Sequence, residues 1–378
     1  MKPARIIIGV LFLAVLASNI FAISRWNESR GVYDDVCYLR QAHLFQRFGL
    51  AGFDTDISRD DDRYLAGKLR DIGYADWNDP TRAPCHTAIE KTQRYVLQYP
   101  PGTGAVLALF PSGFQVVPLY IVANLIAFAL ALAALVRASS RQSLTLAAVF
   151  GLGALYLMIN PTKASYSMAP TMIVCALAGF LTAKLLASAA PRERLWLAMV
   201  VGLLIGLSAN FRLPNLLLSA GYGIFLLGAF LLARSRQTFI EGLAFGAAFL
   251  AGIAPTLASN WINAGSPFAT TYGGQDVATP EINAAVLRSY LVDVQFVLLL
   301  AAIAWTAAIW RRSDTRQAVL VVAANLAVNI VFFITHPVFT PYYTVPIAML
   351  SSWTLLFATL TPREVVADNP AFARQASA

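Results

Sequence analysis

The sequence predicts an all-α polytopic membrane protein with about ten transmembrane helices, both termini on the cytoplasmic side and one large loop outside. Three observations predict it. Hydrophobic residues make up 58% of the 378-residue chain and charged residues 13%, with a mean hydropathy of +0.61, a composition that soluble globular domains of this length do not share. Apolar runs of about 18 or more residues, long enough to cross a bilayer, recur along the chain. The basic residues between those runs fall mainly on alternate loops, as orientation in a membrane requires. That pattern accounts for the net charge of +8 without nucleic acid, and no nucleic-acid partner is expected.

The chain reads as one membrane unit. Residues 6–23 follow Lys2 and Arg5 and form the first apolar run. The run is long for the core of a signal peptide, and a helix bundle follows it, so it reads as an anchor with its N-terminus inside. Residues 24–113 form the outside loop. Its polar part carries 12 of the 20 acidic residues together with Tyr64, Tyr74, Trp77 and Tyr95. Its charges nearly cancel, so it reads as a small folded cap with juxtamembrane helices rather than a disordered acidic segment. Tyr99-Pro100-Pro101-Gly102 leads into a short apolar piece that Pro111-Ser112-Gly113 breaks, which suits a half-helix or re-entrant element. Spans are then expected at 115–136, 143–160, 167–187, 195–209, 213–233, 239–258, 291–310, 317–335 and 341–360, making 114–360 the bundle and 361–378 a cytoplasmic tail.

Charge tests this order. With the half-helix not crossing, the inside loops hold Arg137, Arg141, Arg192, Arg194, Arg234, Arg236, Arg311, Arg312 and Arg316, and the short outside loops hold only Lys163, Arg212 and Arg288. If the half-helix crossed, the bias would invert for every later loop. In a bacterium, outside is the periplasm.

The chemistry concentrates at Asp34-Asp35, just past the first apolar run. A paired carboxylate can act as a general base toward a hydroxyl, or hold a divalent cation such as Mg or Mn, or both. It can also simply start a helix, with Asp34 as N-cap and Asp35 in the first turn. Of three cysteines, Cys37 and Cys85 share the outside loop and Cys175 lies in an apolar run. In an oxidising compartment Cys37 and Cys85 can pair in one way only; two free thiols are the alternative. Zinc is not expected, since His43 and His86 are the nearest further ligands. Asp54-Thr55-Asp56 resembles the metal-binding DxD of nucleotide-sugar enzymes, but three residues match easily by chance and nucleotide sugars are cytoplasmic. Asp60-Asp61-Asp62 reads as a solvated face, and Gly151 and Gly153 as helix packing. Arg212, at the mouth of an apolar helix, is either used by a ligand or snorkels to the interface. Lys163 is a second candidate cation. His336 either lines the site or ends a helix, and Tyr342 and Tyr343 read as interfacial aromatics.

The order of parts is an anchor, an outside loop opening with Asp34-Asp35-x-x-Tyr38-Leu39, a Pro-Pro element and a bundle with short outside loops. In this order the chain resembles the GT-C superfamily of membrane glycosyltransferases, in the bacterial branch related to protein O-mannosyltransferases and lipid A aminoarabinose transferases. The resemblance covers roughly residues 5–345 and rests on several short motifs in order, none specific alone. It makes Asp34 the catalytic carboxylate, Asp35 its acidic neighbour and Tyr38 the motif aromatic. Tyr99-Pro100-Pro101-Gly102 is similar to the family's Pro-Pro element. Asn210-Phe211-Arg212-Leu213-Pro214-Asn215 is similar to its Arg-bearing third outside loop. Asn260, Gly265-Ser266-Pro267-Phe268 and Tyr272 are similar to its fourth. Where some members carry Lys before the prolines, this chain has Tyr99, so a lipid-phosphate contact falls to Arg212, Lys163, Arg94 or Lys91, and the aminoarabinose subtype fits poorly.

The resemblance implies transfer of a sugar from a polyprenyl-phosphate carrier to a hydroxyl of a glycan, lipid or protein acceptor, at the periplasmic face of the bacterial inner membrane. Two rivals stand beside it. A transporter or lipid flippase would use Asp34-Asp35 for a cation or proton, but transporters place ionisable groups near the bilayer midplane, where these spans hold almost none. A polysaccharide polymerase or ligase is the other.

Overall fold

The apolar runs form helices, and these pack on one another through small residues and buried amides. The computed structural model describes residues 2–157, 165–272, 279–339 and 342–361. In chain order its elements are α1 (Lys2–Ser24), α2 (Tyr33–Phe48), α3 (Tyr64–Asp71), β1 (His86–Ile89), β2 (Arg94–Leu97), α4 (Gly102–Leu107), α5 (Val116–Arg137), α6 (Arg141–Leu157), α7 (Met168–Ala187), α8 (Pro191–Ala209), α9 (Ala220–Ala233), α10 (Arg236–Ala264), α11 (Ala284–Leu291), α12 (Val294–Ala308), α13 (Arg316–Thr335) and α14 (Val345–Leu360). Among the described residues six helices are long and apolar enough to cross a membrane: α1, α5, α7, α10, α13 and the stretch Leu213–Ala233 that ends in α9. The chain is thus an α-helical, multi-pass membrane protein. The other expected spans fall on α6, α8, α12 and α14; α14 is a shorter apolar helix, α8 is 19 residues long but opens on Arg192, Glu193 and Arg194, and α12 is long enough only together with α11. Three details differ from the expected spans. α10 runs on to Ala264 with Pro255 inside it, α9 is preceded by a 3-10 segment, Leu213–Ser219, and α11 and α12 meet at a 78° bend.

α14 is the buried centre, with Trp353 and Phe357 among its fully enclosed side chains. Gly179 of α7 lies against Trp353 and Thr354, where a Cβ would fall 2.6 Å from the tryptophan's own Cβ. α8 and α10 run side by side in parallel, their backbones brought together at Gly202, Gly206 and Gly252; a Cβ on Gly252 would sit 2.8 Å from Leu207 N. Gly151, expected to serve packing, faces the Phe12 ring, whereas Gly153 lies in open space. Buried amides join other helices: Asn19 of α1 donates to Asn124 of α5 at 2.9 Å. Asn325 of α13 accepts from Gly221 N at 2.8 Å and donates to Leu218 O at 2.9 Å, satisfying the 3-10 segment.

The long polar loop between α1 and α5 is a folded cap. Val36, Leu65, Leu69 and Ala83 form its own small core, with Tyr74, Trp77 and Tyr95 against it. The antiparallel hairpin β1–β2, in register His86 with Leu97, departs from the all-α expectation; its four-residue strands lie in a polar loop. A disulfide joins Cys37 to Cys85. Arg40 is fully buried at the hub. It donates to Thr55 O at 2.9 Å and Asp56 O at 2.8 Å, faces Asp60 at 3.6 Å and lies 3.1 Å from His86 Nε2. Asp60 also accepts from Leu65 N, Asp61 pairs with Arg47, and Asp62 lies 2.7 Å from His43. The expected solvated face is therefore a set of ties between α2 and the start of α3, because α2 presents Arg40, His43 and Arg47 along one side.

Cap and bundle meet at Asn263 near the end of α10. Its side chain accepts from Thr55 N at 3.0 Å and donates to Phe53 O at 2.8 Å, and Thr92 donates to its backbone carbonyl at 2.8 Å. α4 is the short half-helix that Pro100-Pro101 introduces, and Gln46 of α2 donates to Ala108 O and Phe110 O just beyond it.

Candidate functional site

Two local devices set the site. The first is the start of α2. Val32 is extended and is the N-cap, and its carbonyl accepts from Asp35 N and Val36 N at 3.0 and 3.1 Å. Asp34 is therefore not the N-cap, correcting that expectation. The helix begins two residues earlier, both carboxylates stand in its first turn, and neither caps it. The helix dipole favours negative charge there.

The second device is Asn210, at the end of α8. Pro255 lacks an N–H, which loosens α10. The Asn210 side chain inserts at the break, accepting from Thr256 N at 2.9 Å and donating to Gly252 O at 2.7 Å. Its backbone carbonyl accepts from Gly102 N at 2.8 Å, docking the Pro-Pro element. Asn215 donates to Ser208 O at 2.9 Å. The two asparagines thus hold the turn that carries Arg212.

Asp35 points inward. It is 4% exposed and accepts from Tyr166 N at 3.0 Å. Burial pushes its carboxyl up to about 7; hydrogen bonds from Tyr166 N and Ser165 hold it back, and neighbouring Asp34 adds to the rise. Asp34 is half-buried and accepts from the Tyr99 hydroxyl. Tyr38 stacks on Tyr99 with ring centroids 4.9 Å apart, and Tyr272 meets Tyr99 edge-on at 6.2 Å. Thr271 fixes that loop by donating to Gln98 O at 2.9 Å. Burial also pushes the Tyr38 hydroxyl up to about 12, opposed by the Arg212 guanidinium and by a hydrogen bond with Ser167.

Arg212 lies 5.5 Å from the Tyr343 ring centre, with Nη1 2.8 Å from Met168 Sδ. Among the described residues it has no carboxylate within ion-pair distance. Tyr38 and Tyr342 feel both Arg212 and Asp35, so the guanidinium and the carboxyl sit around the same two rings. His336 stacks on Phe332 at 5.0 Å and lies 5.9 Å from Tyr343, at the rim of this group.

The structure thus brings together Asp34, Asp35, Tyr38, Tyr99, Pro100, Arg212, Tyr272 and His336. It holds two expected cations elsewhere. Arg94 pairs with Asp54 at 3.2 Å and reaches Ile262 O, and Lys91 donates to Gly265 O at 3.0 Å, both at the joint between cap and α10. Lys163 lies outside the described residues. Asp54-Thr55-Asp56 belongs to the same joint: Asp54 takes Arg59 and Arg94, and Thr55 takes Asn263. His86 is part of the Arg40 hub; its ring nitrogen Nδ1 donates to Pro84 O at 2.7 Å and leaves Nε2 to accept from Arg40. Burial pushes it down to about 3, with Arg40 acting the same way. Among the described residues no three His, Cys, Asp or Glu side chains gather as a metal site; Asp34 and Asp35 remain a pair.

Sequence reasoning passed over Ser165, Tyr166, Ser167 and Met168, which supply the far wall. Ser165 and Tyr166 had one signal, position in the short loop expected before the span 167–187; Ser167 and Met168 fell at the start of that expected span. No family model matches the chain, and neither a curated protein nor a solved structure matches it. Fold and site define a polytopic α-helical membrane protein with a disulfide-bearing cap over a pair of carboxylates, one half-buried and one buried, and an arginine.

Proposed function

We propose that this protein is a glycosyltransferase, moving a sugar from a polyprenyl-phosphate carrier to a hydroxyl of an envelope acceptor. The observation that carries the proposal is the grouping of Asp34 and Asp35 with Arg212 inside one aromatic wall, where cap meets bundle. The basic residues on alternate loops support ten spans with both termini in the cytoplasm, and in this reading the group faces the periplasm from the inner membrane. There an activated sugar has to arrive on a lipid, and the helix bundle offers its tail an apolar surround.

In this reading Asp34, the more accessible carboxylate, takes the proton of the acceptor hydroxyl as its oxygen bonds to the anomeric carbon. The bond from that carbon to the phosphate oxygen breaks, and the phosphate keeps the electron pair. Arg212 meets the growing charge on the leaving phosphate. Asp35 sits beneath, partly neutral near pH 7, which limits repulsion between the two carboxyls. A divalent cation on the pair would supply further phosphate neutralisation. Tyr38, Tyr99 and Tyr272 offer ring faces to the sugar or the isoprenoid. A transporter reading gains nothing from Glu241, the buried carboxylate in α10, since Arg194 engages both its oxygens at 2.9 and 2.8 Å.

Mass spectrometry of envelope glycans from cells with and without the protein tests this. The proposal expects one sugar residue to disappear from one acceptor, with the lipid-linked donor accumulating. Unchanged glycans and donor would sink it.

A further inference from the structure

At the basic end of the bundle, α8 and α10 begin side by side, and a cavity of about 390 Å³ opens between their first turns. Pro191, Leu195 and Ile240 give it an apolar wall, and Arg192 and Arg236 stand at its mouth. Three arginines are near, and they are used differently. Arg194 makes a two-pronged ion pair with the buried Glu241, which Gln237 also holds at 3.0 Å. That pair leaves no carboxylate charge in the cavity for another cation. Arg192 and Arg236 are exposed and, among the described residues, form neither an ion pair nor a side-chain hydrogen bond. Glu193, the remaining acid of this turn, accepts from Ser188 at 2.7 Å.

Both free arginines occupy the first turn of a helix, the end whose dipole disfavours a cation. Two cations placed against the dipole, over an apolar wall, suit an anion that also carries hydrocarbon. Trp196, 63% exposed one residue past Leu195, adds the kind of ring found at the level of lipid headgroups. We propose that this cavity is a binding site for an anionic phospholipid of the adjoining leaflet, its phosphate between Arg192 and Arg236 and an acyl chain along Leu195 and Ile240. The charge complementarity selects the occupant: a zwitterionic lipid brings its own cation, which the two arginines repel. This inference is independent of sugar transfer and needs only that the protein is embedded in a bilayer.

The test uses the full-length protein, delipidated in mild detergent and titrated with dioleoyl phosphatidylglycerol or dioleoyl phosphatidylcholine. Retained lipids are counted by native mass spectrometry, and thermal unfolding is followed in parallel. Each arginine is expected to favour the anionic lipid about fivefold, so the pair should give a preference of roughly 25-fold. The preference should vanish in Arg192→Gln/Arg236→Gln and persist in Arg192→Lys/Arg236→Lys. Inorganic phosphate at millimolar concentration should neither raise the melting temperature nor displace the lipid. Equal retention of the two lipids by the wild-type protein overturns the proposal, whatever the variants do. So does a preference that survives in the double Gln variant. Displacement of the lipid by inorganic phosphate alone overturns it too, making the cavity a free-anion site.

Discussion

Two buried polar centres stand about one helical turn apart on α2, and they are built on opposite principles. At the Arg40 hub the protein supplies partners on each side of the charge: the two terminal nitrogens meet two carbonyls and a neutral imidazole, and Asp60 faces Nε at 3.6 Å as its counter-ion. At the Asp35 site the carboxyl takes hydrogen bonds from a loop, and Arg212 rests against a thioether and a ring. A buried charge that the protein saturates holds structure together; a charge left without its counter-ion is expensive unless a ligand completes it. The same pair of residue types, Asp and Arg, is therefore architecture at one place and a candidate site at the other.

The largest expected effect breaks the first centre. Arg40→Met takes from Thr55 O its donor and from Asp60 its counter-ion, leaving that carboxylate only Leu65 N and Asp56 O only Arg59 N, and should destabilise the cap by about 3–5 kcal/mol; a urea melt followed by tryptophan fluorescence measures it. Arg212→Met, by contrast, should leave stability within about 1 kcal/mol. A melt in which the two substitutions cost the same would erase the distinction. Next comes the covalent tie. Cys37→Ser/Cys85→Ser opens a loop of sequence separation 48, a loss of roughly 4 kcal/mol in the chain-entropy account. Peptide mapping without reductant checks that the linkage exists, and recovery of both thiols free would remove it.

The two centres also titrate in opposite senses. His86 is pushed down from 6.5 to about 3, so its folded environment favours the neutral ring. Its contribution is fully present above pH 6.5 and is lost as pH falls toward 3. Asp35 is pushed up from 3.8 to about 7, so its folded environment favours the protonated acid, and its contribution is lost as pH rises between those values. Relative to Asp35→Asn, the wild-type protein should therefore lose roughly 1.4 kcal/mol per pH unit over that interval and change no further above it. Paired thermal melts from pH 4.5 to 8 read this directly. Curves that stay parallel would show that Asp35 is not buried as an acid. The smallest expected effect concerns the donor: Arg212→Ala should raise the apparent Michaelis constant for the lipid-linked sugar about tenfold, the scale of one charge-assisted hydrogen bond, with less change in maximal rate.

Much of the fold could be read in advance because apolar runs are a local signal. The helices α1, α5, α7 and α13 lie within a few residues of the expected runs for that reason. What escaped was non-local. Nothing near Arg40 in sequence announces Thr55, Asp56 and His86 as its partners. Arg94 looked free for a phosphate until Asp54 and the end of α10 closed on it. Asn210 reads as one member of a loop motif, whereas its role depends on a proline 45 residues downstream in another helix. Of the candidate site, Asp34, Asp35, Tyr38, Tyr99 and Arg212 were visible as residues; the division of labour within the pair was not. Burial separates Asp35 from Asp34, and burial at the N-terminus of α2 is set by the loop that carries Tyr166.

The central claim is that the incomplete centre is completed by substrate, with Asp34 as the base. The direct test is Asp34→Asn beside wild type in vesicles that hold a defined polyprenyl-phosphate sugar and an acceptor hydroxyl. Asn keeps the shape and, in the first turn of α2, gives up only a dipole contribution of about 0.3–1 kcal/mol. The account predicts a melt lowered by no more than that contribution, donor binding close to wild type, and transfer slowed about 100- to 10,000-fold. Transfer at the wild-type rate would contradict it, and would leave Asp34 as no more than a favourable charge at the start of a helix.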